Sequence, residues 1–160
     1  MGLGKAGTAY VGDYSKEVTL IRPLFQTSSV TLPFGVNLVY NSAYEDNYFG
    51  SAGGIHTKNY GSMRLGYGWK LNVQETVIEK TISGKKYLIY NDSDGTDHYF
   101  PLASGNTYKD EDGLKLTIVK QASPLKYTMT DEKGNQKIFQ NGFLSSVIDA
   151  NGNAIHLLYN

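Results

Sequence analysis

The sequence predicts an all-β fold, an antiparallel meander of hairpins that forms a curled open sheet or a sandwich-like pair of sheets. Three observations support this prediction. The 160 residues include 18 Gly, 13 Tyr and 6 Phe, a composition typical of pleated surfaces joined by tight turns. Apolar and polar residues alternate with a period of two in several short segments. An Asp-x-x-Gly spacing recurs in the second half of the chain and indicates turns between those segments.

The first segment, residues 1–29, is expected to form an N-terminal strand and a lead-in, with Met1–Gly4 interpreted as a cloning remnant. It lacks the basic region and the apolar run that mark a secretory signal peptide. No apolar run in the chain approaches the roughly 20 residues that cross a bilayer as a helix. The sequence therefore predicts no membrane partner.

The charge balance of the chain argues against another class of partner. Its 15 Lys and Arg balance 15 Asp and Glu, and the basic residues are scattered singly or in pairs. Nucleic acids and anionic surfaces are bound through clustered positive potential, so no nucleic-acid partner is predicted. The chain contains no Cys, so its stability does not depend on disulfides.

The next segment, residues 30–83, is predicted to contain two strand regions on either side of a loop. In GVNLVY, the residues Val36, Leu38 and Tyr40 fall on one face and are expected to pack on a core. The stretch Trp69–Ser83 begins with a period of two and does not keep a 3.6-residue apolar stripe, which favours a strand over a helix.

The loop between these regions, residues 41–68, is rich in Tyr and Gly and is long for a compact domain. In one interpretation its aromatic residues pack the loop onto the sheet. In the alternative, the aromatic residues of segment 44–67 and a neighbouring tryptophan form a carbohydrate- or cell-wall-binding surface. The candidate ligand-binding residues are Tyr48, Tyr60, Tyr67 and Trp69.

The last segment, residues 84–160, contains about four hairpin repeats. The Asp-x-x-Gly turns follow one another at steps of 18, 21 and 18 residues. A strand follows each turn, as in the segment where Leu114, Leu116 and Ile118 share one face. The chain ends inside a strand pattern, so we expect a piece of a longer protein. The turn residues are Asp92, Gly95, Asp110, Gly113, Asp131, Gly134, Asp149 and Gly152, and the tyrosines before the first three turns are Tyr90, Tyr108 and Tyr127.

The Asp and Gly residues of these turns have a physical reason in the backbone geometry. A type I turn favours Asp at its first position, where the carboxylate accepts the backbone N–H two residues further on. Gly at the fourth position adopts the left-handed conformation that closes a bulged hairpin. The turn Asp and Gly residues are therefore predicted to be structural.

The stretch NDSDGTDHYF, residues 91–100, has part of the acidic spacing of a calcium loop. With Gly95 at the sixth position of an EF-hand loop, Tyr90 stands at the first position and Pro101 at the twelfth. Two essential ligands are then missing. No metal site is predicted, and weak calcium binding at the DxDG turns stays open.

The sequence contains no recognisable motif for catalysis. His56, His98 and His156 are far apart and form no HExxH or Cys/His arrangement. The chain has no GxSxG, and its Gly-rich stretches lack the Lys-Ser/Thr of a phosphate loop. We therefore predict no catalytic residue, no cofactor and no enzyme activity, with an acid/base hydrolase kept as an alternative.

Several motifs occur in a fixed order along the chain. They are LVYNS at 38–42, GYGWKLN at 66–72, YNDSDGT at 90–96, DEKGN at 131–135 and VIDANGNAIHLLYN at 147–160. Each motif is common by itself, but the ordered set resembles the RHS or YD repeats of bacterial wall-associated proteins, polymorphic toxins and teneurins. The first two motifs resemble the segment that precedes the repeats in bacterial members.

The resemblance implies a structural role. In this family, many YD repeats form a long β-sheet that spirals into a hollow shell, and the shell encloses or presents a C-terminal toxin or effector domain. By this resemblance Tyr90, Tyr108 and Tyr127 would pack the wall, and Gly68 and Trp69 would mark the start of the shell. The fold would then be a fragment of such a β-shell.

The resemblance also carries expectations for location and partners. It implies a bacterial protein that is secreted or lies on the cell surface, and whose main partner is the remainder of its own polypeptide. Cell-wall carbohydrate is the partner in the alternative interpretation. A fragment of a shell has exposed edge strands, so an edge-strand dimer is a further expectation.

Overall fold

The computed structural model describes residue 2 and residues 7–12, 17–28, 31–44 and 65–158. These residues contain thirteen β-strands and one short 3-10 helix, and paired strands run antiparallel. The all-β antiparallel class that the sequence predicts is confirmed. The chain divides into two compact units, of which the first comprises Met1–Gln74 with Asp92–Thr96 and the second Glu75–Asn91 with Asp97–Asn160.

The first unit contains a four-stranded sheet with its strands in chain order. Its elements are β1 Thr8–Val11, β2 Val18–Gln26, β3 Gly35–Asn41, the 3-10 helix Ser42–Tyr44 and β4 Trp69–Leu71. Gly68, directly before β4, has a left-handed φ of 72°, and a Cβ there would lie 2.6 Å from the Tyr40 ring. This position therefore requires glycine.

The buried face of β3 differs from the prediction. Val39 and Asn41 are 1% and 2% exposed, whereas the alternate face that starts at Val36, expected to pack on a core, is only half-buried. The N–H of Asn41 donates to the Gly68 carbonyl at 2.9 Å, and its Oδ1 accepts from the N–H of Ala43 at 2.9 Å. A polar residue that is paired in this way can be buried at low cost, and apolar alternation does not reveal it.

The second unit is a closed barrel of eight strands with one further strand after it. Its strands are β5 Thr76–Ile82, β6 Lys85–Asn91, β7 Asp97–Ser104, β8 Thr107–Lys109, β9 Thr117–Gln121, β10 Lys126–Thr130, β11 Gln136–Gln140, β12 Phe143–Ile148 and β13 Ala154–His156. Each strand from β5 to β12 pairs with the next one in the chain, and β12 also pairs with β5. The sequence predicts an open curled sheet or a sandwich-like pair, and the structure instead closes this sheet. Closure pairs Thr76 with Phe143, a contact between distant segments that local alternation cannot indicate.

The hairpin of β5 and β6 shows where the barrel unit begins. Every residue of β5 pairs with one of β6, and the connecting residues Ser83 and Gly84 have φ values of 49° and 79°, typical of a type I′ turn. Residues 75–83 therefore belong to the barrel unit, whereas the sequence groups them with segment 30–83. The single strand region predicted for Trp69–Ser83 is divided between β4 and β5.

Aromatic and aliphatic side chains fill the inside of the barrel. The buried cluster consists of Val77, Leu88, Tyr90, Phe100, Tyr108, Ile118, Tyr127, Met129, Phe139 and Leu144. Residues two apart on a strand point to the same side, which explains why Leu88 and Tyr90 of β6 are both in this cluster. Phe100 is fully buried and its neighbour Tyr99 is half-buried, as the opposite faces of a strand require. The interior is a packed core, as in other small barrels.

One predicted strand begins later than expected. Leu114 is expected to share a buried face with Leu116 and Ile118, but it is 41% exposed and lies in the loop before β9. Leu116 packs against the core and Ile118 is fully buried. The delay arises because Lys115 adopts a left-handed φ of 58°, which interrupts the alternation.

Candidate functional site

The four Asp-x-x-Gly turns form connections at one end of the barrel sheet. They join β6 to β7, β8 to β9, β10 to β11 and β12 to β13. In an antiparallel meander, alternate connections fall at the same end of the sheet. We call these four turns, residues 92–95, 110–113, 131–134 and 149–152, the turn rim.

The turns at Asp131 and Asp149 have the same hydrogen bonds. The glycine N–H donates to the Asp carbonyl at 3.1 Å for Gly134 and 3.0 Å for Gly152. One carboxylate oxygen accepts from the N–H groups two and four residues further on, at 2.8 to 2.9 Å. Both glycines have a φ of 87°. The turn at Asp92 shares these bonds, and its glycine has a φ of 93°. This is the bonding of a type I turn closed by a left-handed glycine.

The turn at Asp110 departs from the predicted pattern. Its two carboxylate oxygens accept from the N–H groups of Leu114 and Leu116, each at 2.7 Å. Its own N–H donates to the carbonyl of Leu116 at 3.4 Å. Gly113 and Lys115 are both left-handed, with φ values of 77° and 58°. The loop is therefore longer than the other turns, and its carboxylate bonds to residues further along the chain.

The pKa values of the turn aspartates follow from their hydrogen bonds. The side-chain amide of Asn135 and nearby backbone N–H groups donate to Asp131, which holds the pKa of that carboxyl below its usual range. The corresponding asparagine lowers the pKa of Asp149 in the same way. Burial, together with the neighbouring Asp92, raises the pKa of Asp94. The carboxylates of the turn rim thus act as acceptors for their own backbone.

Consecutive turn regions are also bonded to one another. The contacts are His98 Nδ1 to Asp112 Oδ2 at 3.4 Å, Lys115 Nζ to Glu132 Oε2 at 3.2 Å, and Ala150 N–H to Asn135 Oδ1 at 3.0 Å. Each contact connects one repeat with the next. The Lys115–Glu132 pair is exposed, with side chains 68% and 64% accessible, and exposed ion pairs contribute little stability.

The three tyrosines that precede turns lie in the barrel core. Tyr90, Tyr108 and Tyr127 are 4%, 3% and 3% exposed. Burial raises the pKa of Tyr108 and of Tyr127. Their positions are those of packing residues, with the repeated tyrosine on the inner face of its strand.

An ionic cluster around a buried carboxylate lies at the turn-rim end of the barrel, and sequence reasoning missed it. Glu75 is 4% exposed and accepts from Lys137 Nζ at 2.9 and 2.7 Å and from the Tyr90 hydroxyl at 2.5 Å. Lys137 Nζ also lies 3.0 Å from the Tyr90 oxygen. We call these three residues the Glu75 cluster. A signal was present in the sequence, because Lys137 shares a strand face with Phe139, and an inward lysine needs a partner.

A second ion pair lies toward the opposite end of the barrel. Lys120 of β9 contacts Glu79 of β5, and the hydrogen bond that its ammonium donates to Glu79 raises the pKa of Lys120. In the ring order, β5 and β9 lie on opposite sides, so this pair spans the barrel. The packed core therefore lies between two ionic contacts.

A cavity of about 160 Å³ opens beside the Glu75 cluster. Leu116, Met129 and the Tyr90 ring form apolar walls, and Lys137 lines its polar side. An ammonium group has three donors, and the Lys137 ammonium has three acceptors in the other members of the cluster. Typical ligand pockets measure roughly 300–1,000 Å³. The cavity is thus small and its cation is already paired.

The structure describes two of the four candidate ligand-binding aromatics, Tyr67 and Trp69. Tyr48 and Tyr60 lie outside the described residues. Tyr67 is 55% exposed. The Trp69 ring packs against the Tyr40 ring, with 5.2 Å between the centroids. The structure therefore uses Trp69 for packing and leaves Tyr67 exposed.

Within the first unit, a buried lysine is bonded to the turn at Asp92. Lys70 is fully buried, and its Nζ donates to the Asp92 carbonyl at 2.5 Å. Asn41 Nδ2 lies 3.4 Å from the Asp94 carbonyl. All four residues belong to the first unit. The acidic stretch 91–100 thus already has a cation of the protein bonded to its turn.

The two described histidines lie in different places and contact different side chains. His156 Nδ1 and the Ser146 hydroxyl oxygen are 2.9 Å apart on the exposed surface. His98 contacts Asp112 and is part of the turn region, and His56 lies outside the described residues. Among residues 65–158 and the other described ranges, no group of three or more His, Asp or Glu could hold a metal ion.

Comparisons with known proteins complete this description. No family model, no curated protein and no solved structure matches the chain. Within the described ranges, no helix has the length and apolar character needed to cross a membrane.

Proposed function

We propose that this chain is a non-enzymatic structural module, a fragment of the RHS/YD-repeat β-shell of a larger bacterial protein that is secreted or lies on the cell surface. In that protein the shell encapsulates or presents a C-terminal toxin or effector domain. The turn rim is the observation that carries the proposal. Asp-x-x-Gly turns repeat at one end of a single sheet, and the tyrosine before each of three turns packs inside it.

The polar groups near the rim favour structural roles over catalytic ones. Asp131 and Asp149 each accept hydrogen bonds from their own turn. Glu75 and Lys137 are bonded to each other. A general base or nucleophile must present a reactive group to a substrate, and these groups are already engaged within the protein.

The pairing of β12 supports a sheet that continues past one ring. At its start β12 pairs with β5, through Phe143 and Thr76, whereas Ser146–Ile148 pair with β13. β13 thus occupies the edge of β12 next to the point of closure. A further hairpin can be added to β13 by the same antiparallel pairing, which is the growth mode of a repeat sheet.

The proposal names two kinds of partner. The first is the remainder of the same polypeptide, with further repeats and a C-terminal domain. The second is another copy of the chain, because β13 carries no Lys, Arg, Asp or Glu and charged side chains are what usually protects an edge strand. An edge-strand dimer of the isolated chain is therefore proposed at high protein concentration.

The coding sequence around this chain provides a direct test. We expect further Asp-x-x-Gly turns beyond Asn160, at the same steps of 18 to 21 residues, followed by a C-terminal domain of different composition. A downstream region without such turns would contradict the shell proposal.

Protease protection of the full-length protein tests encapsulation. The C-terminal domain is expected to resist digestion inside the intact protein and to be digested when it is expressed alone. Mass spectrometry of timed digests identifies the fragments. Equal digestion rates for the two forms would contradict encapsulation and would leave a role in presentation of the domain.

A second candidate function is carbohydrate or cell-wall binding by the aromatic residues of segment 44–67, favoured by the exposure of Tyr67. Isothermal titration with cell-wall fragments tests it in the wild type and in variants Tyr48→Ala, Tyr60→Ala and Tyr67→Ala. Tyr10→Ala is a matched control, because Tyr10 of β1 is 54% exposed and outside the segment. Saturable binding that only the three segment variants lose supports this function, and absence of binding rejects it.

A further inference from the structure

The barrel has one seam that is much shorter than its longest strand junctions. β5 and β12 meet at a single registered pair in the described chain, Thr76 with Phe143, whereas β5 and β6 pair at seven positions. The two backbone bonds that form this pair run from Val77 N–H to the Gly142 carbonyl at 2.9 Å and from Leu144 N–H to the Glu75 carbonyl at 3.2 Å. Backbone pairing alone therefore holds this junction by few contacts.

The Glu75 cluster lies across this seam. Glu75 directly precedes β5, Tyr90 lies on β6, and Lys137 lies on β11, which is the neighbour of β12 on its other side. The Glu75 carboxylate bonds to Tyr90 and Lys137 at 2.5 to 2.9 Å. Its backbone carbonyl accepts from β12 itself. One residue thus connects strands on both sides of the junction.

We propose that the Glu75 cluster is a latch that holds the barrel seam closed. Glu75 is 4% exposed, and hydrogen bonds between charged groups in such a site are stronger than those between neutral groups. Removal of Lys137 leaves the buried Glu75 carboxylate without its ammonium partner, which is costly for a buried charge. The latch adds side-chain bonds where the backbone ladder is short, and its release opens the ring between β5 and β12. This inference does not depend on the shell proposal.

Amide hydrogen exchange of the whole chain tests the latch. The reporters are the amides of Val77 and Leu144, whose N–H groups are bonded across the seam. The references are the amides of β9 and β10, which pair away from it. In the variants Glu75→Gln and Lys137→Met, we expect exchange at the two reporters to accelerate by at least about tenfold relative to the references, because a bond to a charged group is lost.

The ion pair of Glu79 and Lys120 provides a matched control. It spans the same barrel but bonds to no strand of the seam other than β5. The variants Glu79→Gln and Lys120→Met remove an ion pair whose side chains are 30% and 26% exposed. We expect them to leave the ratio of reporter exchange to reference exchange unchanged. An equal change of that ratio in both sets of variants would overturn the latch.

A milder variant keeps the test decisive if the charged variants do not fold. Tyr90→Phe removes the hydroxyl that donates to Glu75 and keeps the ring in the core, and Tyr127→Phe is its control because Tyr127 is equally buried. Selective acceleration of the reporters in Tyr90→Phe supports the latch. Uniform acceleration in all strands, or no change at Val77 and Leu144, rejects it.

Discussion

Single residues of the turn rim have a conformational requirement that can be measured. Gly152 has a φ of 87°, and a Cβ at this position would have no heavy atom within 4 Å. Space is therefore available, and the cost of Gly152→Ala comes only from the left-handed backbone. We expect a loss of roughly 1 kcal/mol in the free energy of unfolding, measured by urea denaturation.

Asparagine at the same position is the matched control for this prediction. Asn visits the left-handed region more readily than alanine, so Gly152→Asn should cost less than Gly152→Ala. Gly113→Ala is expected to behave like Gly152→Ala, because Gly113 also has open space and a φ of 77°. A neutral or stabilising effect of alanine would show that the turn assignment is wrong.

The turn aspartates predict a dependence of stability on pH. The pKa of Asp131 and of Asp149 is lowered in the folded chain, first by the side-chain amide of the asparagine four residues on. A lowered folded pKa contributes stability that is present above the unfolded pKa of about 3.9 and is lost as pH falls through the folded pKa. The stability difference between wild type and Asp131→Asn or Asp149→Asn should therefore shrink between pH 5 and the folded pKa.

Asp94 provides the opposite sign as a control. Its pKa is raised in the folded chain, mainly by burial, so its ionised form disfavours folding at neutral pH and its protonation on acidification relieves that cost. Relative to wild type, Asp94→Asn should lose stability as pH falls through the raised folded pKa. Urea unfolding at a series of pH values measures both effects, and the same pH trend for Asp94→Asn and Asp131→Asn would contradict these assignments.

At the scale of elements, the barrel contains two tight turns of the same type that differ in their first residue. Ser83–Gly84 and Asn141–Gly142 both have positive φ at both residues, as a type I′ turn requires. Asn is favoured over Ser at the first of these positions. We expect Ser83→Asn to stabilise the chain by roughly 0.5 kcal/mol.

The second turn is the reciprocal control. Asn141→Ser should reduce the free energy of unfolding by a similar amount, because it replaces the favoured asparagine with the residue found at Ser83. Thermal and urea unfolding of the two single variants and the double variant measure the pair. Effects of the same sign for both substitutions would rule out a common turn type.

Hairpins are the level at which the sequence is most informative. The turn at Asp131 could be predicted because its residue types are determined by hydrogen bonds within five consecutive residues. The buried face of β3 could not be predicted from the sequence. Asn41 is buried because its hydrogen bonds are made to Gly68 and to the 3-10 helix that follows β3. The longer loop at Asp110 was also missed, since the left-handed Lys115 has no marker in the sequence.

At the scale of the whole molecule, the barrel core predicts a large and position-specific loss of stability. Phe139 is fully buried within the core cluster, and Phe139→Ala should cost about 3 to 5 kcal/mol through lost burial and a cavity. Phe25 of β2 is 55% exposed, so Phe25→Ala should change stability by about 0.5 kcal/mol or less. Chemical denaturation of both variants measures the contrast, and comparable losses would contradict the described core.

Closure of the barrel could not be predicted from the sequence. The repeated turns predict successive hairpins without indicating which strand ends the ring. The Glu75 cluster joins residues 62 positions apart in the chain, and neither Glu75 nor Lys137 belongs to a local motif. Its members could be suspected only from one inward lysine beside Phe139.

The two ends of the barrel differ in where a label can be attached. The turn rim repeats Asp and Gly at the same spacing, whereas the connections at the opposite end have no Asp-x-x-Gly spacing. The connection Ala122–Leu125 between β9 and β10 is largely exposed and is not part of a repeated turn. A fluorophore or an epitope attached there would mark the barrel without altering a repeat, and would allow it to be followed by microscopy in whatever assembly contains it.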